Sequence, residues 1–170
     1  MVAVPEAEAV VGALRARLDP AAGLGVPAHV TVLFPFVPAD ELDPDVLATV
    51  AALVGRSPAF AYTFARTEWF DDRVLWLAPD DPAPFRALTA GIYAAFPEHP
   101  PYAGAFPDVV PHLTVAEGHP PRLLEDAERE VRARLPVTGD ATEVVLLAES
   151  VHGGRWELRH RFPLGPVSRR

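Results

Sequence analysis

Two four-residue segments carry the chemistry this sequence can do. They are His29-Val30-Thr31-Val32 and His112-Leu113-Thr114-Val115, each closely preceded by a proline, Pro27 or Pro111. In an extended chain residues i and i+2 share a face. Each segment therefore sets an imidazole beside a hydroxyl and turns Val30, Val32, Leu113 and Val115 the other way, toward a core. A neutral histidine can take a proton from an attacking water or ribose hydroxyl, while a protonated one gives a proton to the leaving oxygen. The ordinary imidazole pKa of about 6.5 lets two histidines hold opposite protonation states near neutrality. The threonine hydroxyls can donate to the non-bridging oxygens of a phosphate, where charge builds in the transition state. Two histidines, two threonines and one phosphate make a nearly symmetric site for phosphodiester cleavage. A lone His-x-Thr on a half-buried strand is ordinarily structural; its repetition with the same apolar flanks carries the reading.

The first segment belongs to an expected strand from Ala28 to Phe36, with Pro35 demoting its end, and the second to one from His112 to Glu117. Around them the spacing of apolar residues predicts helices over Pro5 to Leu18, from near Asp43 to Val54, from the Asp81-Pro82 cap to about Ala95, and over Arg122 to Leu135. Further strands are expected at Ala59 to Trp69 and Val74 to Ala78 around a turn at Asp71-Asp72-Arg73. A final pair is expected at Thr142 to Ser150 and Arg155 to Leu164 around His152-Gly153-Gly154. Strands interleaved with four helices indicate an α+β protein. The proline-rich connection from Phe96 to Pro111 has the length of a functional loop rather than an idle one.

Composition narrows the partners. The chain has 170 residues, a formal net charge of −8 and no cysteine, which excludes disulfide frameworks and Cys-rich zinc sites. Its 15 basic residues are all arginine and form no basic run, so a grip on long duplex nucleic acid is not expected. A small anionic ligand needs only a few local donors. No targeting segment or membrane span is visible, so a soluble cytoplasmic protein is expected, with no membrane partner and as a monomer.

The passages PAHVTVLFPF and PHLTVAEG, about 80 residues apart, resemble the 2H phosphoesterase superfamily, in its bacterial RNA 2′,5′-ligase and cyclic-phosphodiesterase-like branch. The order of helices and strands and the late Arg155-Trp-Glu-Leu strand fit the same resemblance. It implies a bilobal α+β fold: pseudo-two-fold antiparallel sheets flanked by helices around a central cleft. Residues 1–170 would then form one domain of two pseudo-symmetric lobes, with one His-x-Thr strand in each. It also implies no cofactor or required metal, and action on 2′,3′-cyclic phosphates or 2′,5′-phosphodiester bonds of nucleotides or RNA ends. His29 and His112 would be the acid/base pair, and Thr31 and Thr114 the phosphate ligands. Ala116-Glu117-Gly118 stands where members active on tRNA-type substrates commonly place basic residues, which favours hydrolysis of a small cyclic phosphate over ligation of long RNA. The alternative is a non-catalytic binder of phosphorylated nucleotide or RNA ends, in which the same donors hold phosphate without turnover.

Three further residues are candidate substrate contacts. Tyr102 and Phe106, in the long connection, have the side chains of a base-stacking platform, though packing of the loop competes with that role. Arg155 could reach a phosphate from the late strand. Glu117 does not complete a two-histidine, one-carboxylate metal site, because no His-x-His, His-x-Asp or His-x-x-x-His spacing supports one. His99, His119, His152 and His160 read as surface residues.

Overall fold

The computed structural model describes residues 1–150 and 154–167, so His152 and Gly153 of the expected final turn lie outside the described residues. Its elements in chain order are β1 (Val2–Ala3), α1 (Pro5–Leu18), α2 (Pro20–Gly23), β2 (His29–Val30), α3 (Pro44–Arg56), β3 (Phe60–Phe70), β4 (Val74–Pro79), α4 (Ala83–Ala95), β5 (Leu113–Glu117), α5 (Pro121–Arg132), β6 (Val137–Ala141), β7 (Glu143–Glu149) and β8 (Trp156–Pro163). A 3-10 turn at Pro101–Gly104 lies in the long connection. All strand pairs are antiparallel, in an α+β arrangement.

One sheet has the order β5-β4-β3-β6. The remaining strands pair as β1 with β2 and β7 with β8, and reciprocal backbone hydrogen bonds between Met1 and Val145 join β1 to β7. The resulting order, β2-β1-β7-β8, places the His29 strand at one edge. In the other sheet β5, entered from His112, also occupies an edge, and β2 packs beside β5.

The four expected helices form, as α1, α3, α4 and α5, for local reasons, and the short α2 is an addition capped by the Asp19 carboxylate. Pro5 opens α1 with Glu6 and Glu8 in the first turn and Arg15 and Arg17 in the last, charges that suit the helix dipole. The Asp43 carboxylate accepts the Asp45 and Val46 N–H groups at the start of α3. At α4 the cap position falls on Pro82 itself, while Asp81 accepts the Ala83 N–H at 2.9 Å. The core closes between helices and sheets on Val11, Leu14, Val30, Phe64, Leu75 and Leu113, all buried.

Two strand expectations change. The strand expected over Ala28 to Phe36 keeps ladder pairing only at His29 and Val30, opposite Ala3 and Val2; Pro35 and Pro38, without N–H donors, suit an exit from the sheet. In turn β6 is an additional strand, running through Gly139 and Asp140, residues of low strand preference. A Cβ at Gly139 would stand 2.6 Å from the Tyr62 hydroxyl, which donates to Glu6 of α1 at 2.5 Å. Glycine is needed there so that this bond can tie α1 to the sheet.

Candidate active site

Both motifs show the same alternation of burial. Val30, Val32, Leu113 and Val115 are within 3% of full burial, and His29, Thr31, His112 and Thr114 are half-buried on the opposite face. The inward residues fix each strand on the core, and this sets which face the outward pairs occupy.

Each imidazole is clamped in the same way. His29 Nδ1 lies 2.8 Å from the Pro27 carbonyl, and His112 Nδ1 lies 2.7 Å from the Val110 carbonyl. A carbonyl only accepts, so Nδ1 carries the proton in both rings and Nε2 is left for chemistry. His29 Nε2 stands 3.2 Å from Thr31 Oγ1. Burial pushes the His29 pKa down to about 4, partly opposed by the Pro27 carbonyl and helped by the positive charges of the N-terminus, Arg15 and His112. His112 is lowered from its ordinary value as well, by burial, with the Val110 carbonyl opposing. Both rings are therefore biased toward the neutral form before any anion binds, and the charge of His112 reaches His29.

The surroundings of the two rings differ. The His29 side opens on a cavity of about 520 Å³ lined by Thr31, Leu33, Phe34, Phe36 and Trp156, among others. Phe34 is 49% exposed and meets Trp156 edge-on, with ring centroids 5.9 Å apart. The His112 side opens on one of about 680 Å³ that includes Thr114, Tyr102, Phe106, Arg73, Asp108 and Glu117. Here His112 is ringed by Phe70, Trp76 and Tyr102, at centroid distances of 5.0, 5.8 and 6.5 Å. Burial, followed by the charge of Asp19, raises the Glu117 pKa.

The segment that delivers His29 is pinned to α1. Glu8 accepts the Ala28 N–H at 2.7 Å, and Arg15, 2% exposed, donates to the Val26 carbonyl at 3.2 Å. Arg15 in turn pairs with the buried Asp19 carboxylate at 2.8 Å. Sequence reasoning missed this network, because an arginine in the last turn of an amphipathic helix reads as a solvent-facing dipole partner.

The structure thus brings His29, Thr31, His112, Thr114, Tyr102 and Phe106 to the two cavities. Arg155 lines neither; it is exposed, and its guanidinium lies over Gly25, 3.3 Å from where a Cβ would stand. Its neighbour Trp156 enters the His29 cavity instead, and with Phe34, Phe70 and Arg73 it was not singled out from the sequence. Phe34 had a signal, since it falls within the first motif's own passage. His160 is exposed, whereas His99 and His119 are half-buried, His99 against the Phe36 ring at 5.9 Å. Among the described residues, no group of three or more His, Asp or Glu side chains is arranged to hold a metal ion, and no helix is long and apolar enough to cross a membrane.

A family profile described as the 2′-5′ RNA ligase superfamily matches residues 3–153. The fold is similar to that of E. coli LigT solved with 3′-AMP, at a TM-score of 0.60 and 20% identity over 95% of this chain and 93% of that one. It is also similar to a structure described as a phosphoesterase (TM-score 0.59, 20% identity, 96% and 95% covered). A third similar structure is the TT0787 protein of Thermus thermophilus (TM-score 0.55, 20% identity, 87% and 93% covered). No functionally curated protein matches the chain in sequence.

Proposed function

The chain belongs to the 2′-5′ RNA ligase superfamily of 2H phosphoesterases, and on that premise we propose that it is a metal-independent phosphodiesterase acting on 2′,3′-cyclic phosphates or 2′,5′-phosphodiester bonds of nucleotides or RNA ends. Family membership supports phosphodiester chemistry in general. The finer reading rests on one observation: both imidazoles donate Nδ1–H to the carbonyl two residues upstream, which turns both Nε2 atoms away from the backbone as acceptors, each with a threonine on the same strand face and that of His29 3.2 Å from Thr31 Oγ1.

In this reading residues 1–170 make one domain of two pseudo-symmetric lobes, each contributing one edge motif to a shared cleft. His29, the ring most strongly biased to the neutral form, takes the proton from a water that attacks phosphorus. The bond from phosphorus to one ribose oxygen of the cyclic ester breaks, and His112, protonated beside the bound anion, gives its Nε2 proton to that oxygen. The product is a nucleoside monophosphate. For a 2′,5′ linkage the neighbouring 3′-hydroxyl replaces water as the nucleophile, and the 5′-oxygen leaves. Thr31 and Thr114 hold the non-bridging oxygens as charge accumulates on them. Small nucleotides suit cavities of this size; the similar E. coli LigT structures include complexes with 3′-AMP and ATP.

The test is incubation of the purified, EDTA-treated protein with each of the four nucleoside 2′,3′-cyclic monophosphates, with the His29→Ala/His112→Ala double variant as control. Turnover that survives EDTA and disappears in the variant is the expected result. Turnover retained by the variant, or restored only by added metal, would overturn the two-histidine mechanism. Saturable binding without turnover of these or of 2′,5′-linked oligonucleotides would replace the enzyme by a phosphate-end binder.

A further inference from the structure

We propose that the cavity beside His112 selects guanine, the Glu117 carboxylate accepting from N1–H and N2–H of the base and the Arg73 guanidinium donating to its O6; the inference deepens the phosphodiesterase reading and rests on it for the position of the phosphate. The register of β5 gives the first reason. Thr114 lies opposite Trp76 of β4, but Ala116 lies opposite Leu75 and Glu117 opposite Val74, so Val115 is an extra residue, a β-bulge. In a regular strand residues three apart point to opposite faces, and Glu117 would turn into the core with Leu113. The bulge returns it to the face of Thr114. Leu75 and Ala116 are fully buried, whereas Val74 and Glu117 are half-buried and line the cavity with His112 and Thr114. Bulges re-aim side chains in this way beside functional sites.

Arg73 reaches the same cavity from the turn of hairpin β3-β4. It precedes Val74, the strand partner of Glu117, and its carbonyl accepts the Gly118 N–H at 3.1 Å, which ties that turn to the end of β5. Both side chains line the cavity, yet among the described residues neither takes part in an ion pair. Burial and the charge of Asp19 push the Glu117 pKa up, so two N–H donors from a ligand would offset the cost of holding it ionised. Asp108 also lines this cavity, but from the exposed loop and not from the sheet.

Guanine is the base that matches a carboxylate beside a guanidinium. Its edge presents two adjacent donors, N1–H and N2–H, next to the O6 acceptor. Adenine reverses the pattern, turning its N1 acceptor to the carboxylate and its N6 amino group to the guanidinium, and cytosine does the same with N3 and N4. Uracil offers one donor beside O4. The position agrees as well. Glu117 stands two ladder positions beyond Thr114, about 7 Å along the strand, which leaves room for a ribose between a phosphate at Thr114 and a base edge at Glu117. Phe106, exposed, and Tyr102 supply aromatic surface in the same cavity for the face of the base.

The experiment measures kcat/KM for guanosine and adenosine 2′,3′-cyclic monophosphate with wild type, Glu117→Gln and Arg73→Gln. A polar site rejects a base that leaves its groups unpaired, so the guanosine substrate is expected to exceed the adenosine one by about 30-fold. Glu117→Gln keeps the shape of the side chain but offers one acceptor to two donors, and should lower that ratio about tenfold; Arg73→Gln should lower it about threefold. A structural role for either residue would change both substrates together. A wild-type ratio within about twofold of one, or a ratio left unchanged by either variant, would therefore overturn the inference. The same proteins are titrated calorimetrically with guanosine and adenosine 3′-monophosphate. A guanine preference in binding that Glu117→Gln abolishes, with no turnover of either cyclic nucleotide, would sustain the base selection and count against the phosphodiesterase reading alone. Turnover without any guanine preference would do the reverse.

Discussion

The two motifs carry the same histidine and threonine in the same alternation, yet the molecule surrounds them in different ways. His29 sits on a two-residue strand whose approach is pinned from outside, by Glu8 and Arg15 of α1, and it faces a largely apolar cavity. His112 enters a five-residue strand of the larger sheet, has aromatic rings on several sides, and faces a cavity that includes Arg73, Asp108 and Glu117. Both rings hold an upstream carbonyl, but the chain leading to His29 is set by hydrogen bonds to a helix, whereas the ring of His112 is surrounded by aromatic packing. Local sequence placed both rings, and in the proposed mechanism the difference in their surroundings divides the work between base and acid.

The strongest way to break that division is to remove each ring in turn. His29→Ala and His112→Ala should each lower kcat/KM for a cyclic nucleotide by about 10²-fold to 10⁴-fold, the usual range for a positioned general acid or base. A phosphodiester with a p-nitrophenyl leaving group separates the two, because that group departs without a proton. His112→Ala should recover most of its activity on it, and His29→Ala should not. Equal losses on both substrates would show that the rings do not have distinct roles.

The next effect concerns the approach to the first motif. Asp19→Ala leaves the Arg15 guanidinium buried without its carboxylate, and breaking a buried pair from one side destabilises by about 3 kcal/mol. Denaturant unfolding measures it. Replacing both partners, Arg15→Met with Asp19→Leu, should restore much of the stability while leaving the Val26 carbonyl without its donor. Catalysis by that double variant should then fall more than its stability does. A loss below about 1 kcal/mol for Asp19→Ala would mean that this network does not hold the approach to His29.

How legible the site was follows from the same contrast. The period of two in His-Val-Thr-Val and His-Leu-Thr-Val is a local signal, and it sorted inward from outward residues at all eight positions. Hairpin β3-β4 was legible from its Asp71-Asp72-Arg73 turn, where Asp71 takes φ 51°. What stayed hidden depends on partners distant in sequence. The role of Gly139 becomes visible only with Tyr62 and Glu6 beside it, and nothing in Ala13-Leu14-Arg15 tells that the arginine points inward to Val26. The orientation of Arg155 was hidden for the same reason. Its strand was read, but which of two neighbours, Arg155 or Trp156, turns into the cavity is set by the approach of β8 to Gly25.

The smallest expected effect is also the finest measure of the difference between the rings. A base must be neutral, so activity rises with pH through the pKa of His29, near 4; an acid must be protonated, so activity falls as pH passes the pKa of His112, which burial holds below its ordinary value. The bell in kcat/KM, which reports the free enzyme, should therefore peak on the acid side of about 6.5. Bound phosphate places negative charge beside both rings and favours their protonated forms, so the bell in kcat should lie at higher pH than the bell in kcat/KM. Removing the Arg15 charge should raise only the lower limb, by less than about one pH unit, since Arg15 acts on His29 and not among the groups that shift His112. If the upper limb moved with it, the two rings would titrate as one coupled pair, and the asymmetry in their surroundings would have no separate expression in the chemistry.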